Sequence, residues 1–318
     1  MNGSIVVCDD VVDAALVAAQ LAAPWNGRVR VDREVPSGAG IVALLVGPGS
    51  SLTDEVLAGL PDLRVVVVTS MGWDHVDAAA ARSRGVVVTG VGPYCVDEVA
   101  EHTIALVFEL LRGVTWLDAS VRAGDWDDAR LGRPVRGASL GIVGLGRVGA
   151  AVAWRARALG MAVSAYDPLV PVDEAATGED QRRGGVRMVA SLEELVAGSD
   201  VVSVHVPLTG ATQGLVDAAL LGRFRKGSYL VNVSRGEVVT EAALGDALRS
   251  GTLAGAALDV LSHEPPSGSD PVLSFPRTVI TPHAAWYSPA AIERLSKSAG
   301  RETARALEEI EATERTAS

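Results

Sequence analysis

One stretch limits the fold more than any other. Leu140-Gly-Ile-Val143 runs directly into Gly144-Leu-Gly146-Arg147-Val148-Gly149, and a helical stretch follows with Val148, Val152 and Leu159 at four- and seven-residue steps. A second apolar run, Ala162–Tyr166, ends on Asp167, 18 residues beyond Gly149. Strand, glycine turn, helix, strand and acid in that order predict a βαβ unit, because parallel strands can be joined only by a crossover. Each glycine has a task in such a unit. Gly144 permits the tight turn, Gly146 keeps a Cβ out of the path of a diphosphate, and Gly149 lets helix and strand close up. The helix N-terminus offers free N–H groups and partial positive charge to an anion. Asp167 can accept from both ribose hydroxyls of an adenosine and repels a 2′-phosphate, so the loop is expected to take NAD(H) rather than NADP(H).

The same rhythm runs through the whole chain. Ile5–Val7, Ile41–Val46, Arg64–Thr69 and Val86–Val88 read as strands, separated by helix-like Asp13–Ala23, Thr53–Gly59 and His75–Arg84. Further strands are expected at Leu140–Val143, Ala162–Tyr166, Asp200–Val206, Tyr229–Val233, Ala256–Leu258 and Val279–Thr281. Helices are expected at Arg147–Leu159, Leu192–Val196, Thr240–Ser250 and Pro289–Glu311. Nearly continuous apolar runs, rather than alternating ones, mark strands buried on both faces of a parallel sheet. The fold class is therefore α/β, with two parallel-sheet units covered by helices. A long helix from Val96 to about Arg112 forms the border, with Asp97 as its expected N-cap and Val99, Thr103, Leu106 and Leu110 on one face. After it, Trp116–Arg136 reads as a polar, irregular arm.

Charge and cysteine content narrow the class. Lys and Arg number 28 against 39 Asp and Glu, a net charge of −11. Phosphate backbones and anionic membranes repel such a chain, so no nucleic acid and no membrane partner is expected. Arg182-Arg183 is the one short basic pair in a loop, and it reads as solvated surface. Cys8 and Cys95 stand far apart and outside any CxxC spacing, which predicts neither a disulfide framework nor a metal site. No stretch approaches the ~18 apolar residues of a membrane span, and the N-terminus lacks a charged and apolar leader. The chain is expected to be cytoplasmic.

Three more stretches follow strands, where ligands of open α/β sheets bind. They are Asn232-Val233-Ser234-Arg235-Gly-Glu-Val, Leu258-Asp259-Val-Leu-Ser-His-Glu264-Pro-Pro and Ile280-Thr-Pro-His283-Ala-Ala-Trp286-Tyr-Ser. With the glycine turn, they resemble the D-isomer-specific 2-hydroxy acid dehydrogenase family across about Ile5 to Leu307. Leu140–Val152 and Thr281–Ser288 look closest to the branch of C-terminal binding protein corepressors and their bacterial dehydrogenase relatives. The resemblance implies two Rossmann-like, doubly wound domains. The substrate domain would be discontinuous, 1–96 and 287–318, around an NAD-binding domain at 97–286.

It also implies a catalytic trio, whose chemistry fits on its own terms. His283 would give a proton to the alkoxide left by hydride transfer and take it back in reverse. Glu264 would stabilise the imidazolium. Arg235 would hold a substrate carboxylate or polarise its carbonyl through a rigid fork of donors. Gly144, Gly146, Arg147, Val148, Gly149, Asp167, His205, Pro207, Val233, Ser234, Arg235, Asp259 and His283 would touch the cofactor. Met71 and Gly72, in Thr69-Ser-Met71-Gly72-Trp73, match the loop that holds the substrate carboxylate, and Trp286 is a further candidate for the same pocket. Relatives that oxidise formate carry Gln where Glu264 stands, which argues against that reaction here. His75, His102 and His263 read as structural or surface residues. The implied function is NAD-dependent interconversion of a 2-keto acid and a D-2-hydroxy acid, in a homodimer paired through the cofactor domain. The alternative is an NAD(H)-sensing dimeric scaffold of corepressor type.

Overall fold

The computed structural model describes residues 3–23, 25–126, 132–170 and 185–317. The chain divides into two compact α/β units, Met1–Cys95 with Tyr287–Ser318, and Val96–Trp286.

In the first unit the strands are β1 (Ser4–Cys8), β2 (Val29–Val31), β3 (Ile41–Val46), β4 (Val65–Val68) and β5 (Val87–Gly90). They form one sheet in the order β2-β1-β3-β4-β5, parallel at every pairing. The all-Val β4 and the IVALLV of β3 are buried at every position, as strands covered on both faces must be. Short helices follow, each started by a side chain that accepts free N–H groups: Asp13 before Ala14–Ala18, Thr53 before Asp54–Ala58, Asp77 before Ala78–Ser83. The first and third are shorter than expected. Asp77 fixes one start, and tighter bonds from Gln20 to Val17 and from Leu21 to Ala18 end the other. The strand Val29–Val31 escapes a sequence reading because it is a three-residue edge.

The terminal helix Pro289–Ala317 belongs to this unit although the chain reaches it last. Its Ser296 hydroxyl accepts the Asp13 N–H at 2.9 Å, its Ser298 hydroxyl donates to Val91 O at 2.6 Å, and Arg294 donates to Tyr94 O. Gly300 lets it approach closely, since a Cβ there would stand 2.6 Å from Val17 O.

In the second unit the strands are β6 (Ser139–Val143), β7 (Ala162–Tyr166), β8 (Arg187–Met188), β9 (Val201–Val204), β10 (Ser228–Asn232), β11 (Leu253–Leu258) and β12 (Thr278–Ile280). Their order is β12-β11-β10-β9-β6-β7-β8, again parallel throughout. The chain runs outward one way from β6 and then the other way from β9. The crevice between the ends of these two strands is where doubly wound sheets bind ligands. Helix Val96–Arg112 buries Ala100, Thr103, Leu106, Val107, Leu110 and Leu111 in the core of this unit. Asp97 is not its N-cap: it lies inside the first turn and pairs with Arg155 at 2.9 Å.

The expected irregular arm begins instead as a helix, Val114–Arg122. Gly113, at φ 62°, breaks the chain away from the preceding helix, and Glu109 accepts the Thr115 N–H and hydroxyl. Val114, Leu117 and Val121 stand three and four residues apart, a helical period hidden among polar neighbours. The remainder of the arm at 127–131, and Arg182-Arg183, lie outside the described residues. Cys8 and Cys95 are both buried; burial and the charge of Asp32 push the Cys8 thiol up to about 11. Among the described residues no helix is long and apolar enough to cross a membrane.

Asp200 ties the start of β9 to the start of β6. Its carboxylate accepts the Ser139 N–H and hydroxyl, both at 2.9 Å, and pairs with Arg225 at 2.8 Å. Burial alone would raise the Asp200 carboxyl; the Ser139 bonds and the Arg225 and Arg133 charges outweigh it and hold it below the usual carboxylate range. A carboxyl depressed on folding stabilises fully above its unfolded value, and that stability is lost as pH falls through the lower folded value. Asp200→Asn should therefore cost about 2 kcal/mol in urea unfolding at pH 7, with the gap closing below about pH 4. A gap that does not change with pH contradicts this role.

Candidate active site

The glycine turn closes β6 and opens helix Arg147–Ala158. Gly144 sits at φ 90°, and a Cβ there would stand 2.6 Å from His205 O at the end of β9. A Cβ on Gly149 would collide with the Gly144 carbonyl, so helix and strand meet only because this residue is glycine. Gly146 is different: a Cβ there meets nothing within 4 Å. That open space over a helix N-terminus with no side-chain cap suits a diphosphate. Asp167 closes β7 and reaches back to the turn, its Oδ2 accepting the Leu145 N–H at 2.8 Å and its Oδ1 the Leu169 N–H at 2.9 Å. Arg147 is exposed and Val148 half-buried on the first helical turn. The residues present fit a dinucleotide.

His205 follows β9, and its Nε2 meets the Ser203 hydroxyl at 2.8 Å. Burial pushes its imidazole down to about 3, so it is neutral at ordinary pH. Its Nδ1 is buried with no partner among the described residues. Pro207 is exposed, and its carbonyl accepts the Thr212 hydroxyl at 2.5 Å.

The three residues of the trio come from the ends of β10, β11 and β12. His283 Nδ1 and Glu264 Oε2 are 2.6 Å apart, each side chain 35% exposed. A carboxylate only accepts, so Nδ1 carries the hydrogen and Nε2 is left for proton exchange. Burial would raise the Glu264 carboxyl. The hydrogen bonds from His283 and the Leu261 N–H, with the charges of His283 and Arg235, outweigh that and hold it below the usual carboxylate range. Arg235 is thus close enough to act on Glu264, while its Nη1 donates to Ser234 O at 2.8 Å.

Several residues that sequence reasoning did not single out hold these loops. Asn232, 1% exposed, accepts from the N–H and hydroxyl of Ser234 and donates to Arg235 O at 2.8 Å. It fixes the turn Val233-Ser234-Arg235 from inside. Gly236 follows, where a Cβ would collide with the Leu261 carbonyl. Only glycine lets the Arg235 loop lie against the loop that carries Glu264. Glu241 accepts the Ser262 N–H at 2.8 Å and steadies that second loop. An Asn-x-x-Arg-Gly run after a strand is the sequence signal that points to the first two.

Asp259 is 1% exposed. Its carboxylate accepts the Thr281 hydroxyl at 2.5 Å, the Ala284 N–H at 3.0 Å and the Ala285 N–H at 2.9 Å. It is therefore built into the loop that carries His283. Among the expected substrate contacts, Met71 is exposed and Gly72 half-buried on the bend after β4, where the Ser70 hydroxyl donates to Gly72 O at 2.7 Å. Trp286 is the half-buried last residue of the second unit.

Comparison with known proteins places this geometry. Residues 104–285 match the D-isomer specific 2-hydroxyacid dehydrogenase, NAD binding domain. The chain is 38% identical over 280 residues to a glyoxylate reductase of Korarchaeum cryptofilum, covering 86% of this chain and 81% of that one. It is 39% identical over 259 residues to a D-3-phosphoglycerate dehydrogenase of Archaeoglobus fulgidus, covering 81% of this chain and 47% of the relative, so it spans about half that protein's length. The NAD-dependent formate dehydrogenase of Staphylococcus aureus, solved in complex with NAD, superposes with a TM-score of 0.80 at 26% identity, over 95% of each chain. None of these is a corepressor. The expected placement beside the C-terminal binding proteins is corrected accordingly: the stretches that suggested it, Leu140–Val152 and Thr281–Ser288, are only the glycine turn with its helix and the loop that carries His283, too short to fix a branch of the family. A parallel sheet with this turn, matched over 104–285, makes the chain an NAD-binding member of the D-isomer-specific 2-hydroxyacid dehydrogenase family.

Proposed function

We propose that the protein reduces a 2-keto acid to the D-2-hydroxy acid with NADH, and that His283, Glu264 and Arg235 carry the proton and substrate chemistry. The observation that supports this most is the 2.6 Å pair of His283 Nδ1 and Glu264 Oε2, with Nε2 left for the substrate. When bound, NADH supplies a hydride to the carbonyl carbon. The carbonyl π pair moves to oxygen, and His283 Nε2 delivers a proton there, giving CH–OH and an imidazole that refills from water. The Glu264 carboxylate stabilises the imidazolium before that transfer. Arg235 binds the carboxylate or polarises the carbonyl. Val233, Ser234 and Asp259 are proposed to face the nicotinamide half of the cofactor, and His205 and Pro207 the adenosine half. Met71, Gly72 and Trp286 are proposed as substrate contacts. The unit 1–95 with 287–318 would then be the substrate domain.

The test is oxidation of NADH or NADPH, read at 340 nm, against 2-keto acids from glyoxylate to longer apolar side chains. At least one should be reduced, with NADH preferred because Asp167 repels a 2′-phosphate. His283→Ala should lower kcat about 10²–10⁴-fold with NADH binding kept. Preference for NADPH, or full activity in the His283 variant, overturns the assignment.

A homodimer is proposed through the cofactor unit. Val114 and Val121, 59% and 50% exposed, lie two turns apart on the helix Val114–Arg122, and Trp126 beyond it is 87% exposed. Solvent-facing apolar side chains this close together suit a covering surface. Light scattering at micromolar concentration should give twice the chain mass, falling to the chain mass in Val121→Asp; a native monomer contradicts it.

A further inference from the structure

His102 lies on the helix Val96–Arg112, far in sequence from the trio. Its Nε2 is 3.1 Å from the Thr281 hydroxyl and 3.5 Å from Asp259 Oδ1. We propose that His102 is a positioning residue for the acid–base imidazole, acting through Thr281 and Asp259 on the loop from which His283 projects. The inference rests on the reading of His283 as the acid–base group.

The directions of the hydrogen bonds follow from the donor inventory. Asp259 Oδ1 accepts the Ala284 N–H, so it is an acceptor at that atom. The Thr281 hydroxyl, 2.5 Å away, must therefore donate its one hydrogen to Asp259. Its oxygen is then free to accept, and the His102 Nε2–H at 3.1 Å supplies the donor. The order is His102 to Thr281 to Asp259, with Ala284 and Ala285 completing the carboxylate. Of these four partners, His102 is the one from outside the His283 loop. It stands on a helix whose next residue, Thr103, is fully buried, so its base is rigid.

The loop needs such a hold. His283 sits at φ 52°, in the left-handed region. A residue with a Cβ stays there only when its surroundings over-determine it. Its N–H donates to Asp259 O at 2.8 Å, and the next two N–H groups go to the Asp259 side chain. One residue thus accepts three successive backbone donors, beginning at the acid–base residue itself. A buried carboxylate keeps one orientation when its partners are complete, and loses it when a partner is removed. Without His102, Thr281 can turn its hydroxyl away, and Asp259 no longer has a fixed seat. A shift of about 1 Å at a reacting group can cost a hundredfold in rate.

The experiment uses the full chain with His102→Leu, His102→Gln and His283→Ala, and two readouts. The first is kcat and KM for the best 2-keto acid. The second, independent of turnover, is hydrogen exchange of the Ala284 and Ala285 amides without cofactor. His102→Leu should lower kcat at least tenfold, change KM less than threefold, and speed exchange at both amides. His102→Gln, whose ε-amide puts an N–H near the site of Nε2, should restore most of kcat and slow the exchange again. Native kcat and native exchange in His102→Leu overturn the proposal, as do equal losses in the Leu and Gln variants. His283→Ala separates the two levels. If it is inactive while His102→Leu is native, only the positioning role fails. If it is active, the acid–base reading fails, and the exchange data alone decide whether His102 holds the loop.

Discussion

Parallel pairing is the constraint on which the rest depends. All seven strands of the larger sheet run the same way, so their carboxyl ends lie on one edge. The glycine turn, Asp167, His205, Arg235, Asp259 and His283 all follow strands on that edge. Residues from 144 to 283 are gathered on that edge because the ladder brings their strand ends together. What remains is to aim each side chain, and this falls to buried acceptors at the strand ends or one residue beyond. Asn232 wraps the Arg235 turn, and Asp259 holds the His283 loop.

The electrostatics of the site divide its histidines. His205 is half-buried with its Nδ1 shut off from solvent, and desolvation keeps the ring neutral beside the glycine turn. His283 is half-exposed and faces a carboxylate that stays ionised. A buried neutral ring suits a wall against a cofactor; a ring with an anion at one nitrogen and an open face at the other suits proton exchange. His102 is a third kind, its Nε2 set against the Thr281 hydroxyl and the buried Asp259.

Most of this architecture is legible in the chain before any coordinates. Runs such as Val65–Val68 and Ile41–Val46 can be buried only on both faces, and Gly144 to Asp167 specifies its βαβ unit almost residue by residue. The functional residues that show in sequence are those whose chemistry is unusual after a strand: an arginine, a glutamate before prolines, a histidine after a proline. Thr281 and His102 do not show, and Asn232 and Gly236 show only as an Asn-x-x-Arg-Gly run whose roles stay hidden, because their work is hydrogen bonding or close approach to other segments. Gly236 is required only because Leu261 passes beside it. His102 looks like an ordinary helical residue until the Thr281 hydroxyl is placed against it. The helix Val114–Arg122 is hidden for a different reason: its apolar face is thin, and polar residues dominate the count. The corepressor likeness rests on two short stretches, which carry little information about branch.

The central claim is that Glu264 and His283 act as one acid–base unit. The pH profile of kcat/KM for 2-keto acid reduction, native against Glu264→Gln, tests it most directly. Reduction needs the imidazolium, and Gln cannot supply the negative charge that stabilises it. The account predicts that the alkaline fall in rate moves to lower pH in the variant, with the acid side and NADH affinity little changed. Superimposable profiles, or a uniform loss at every pH, would contradict the pairing.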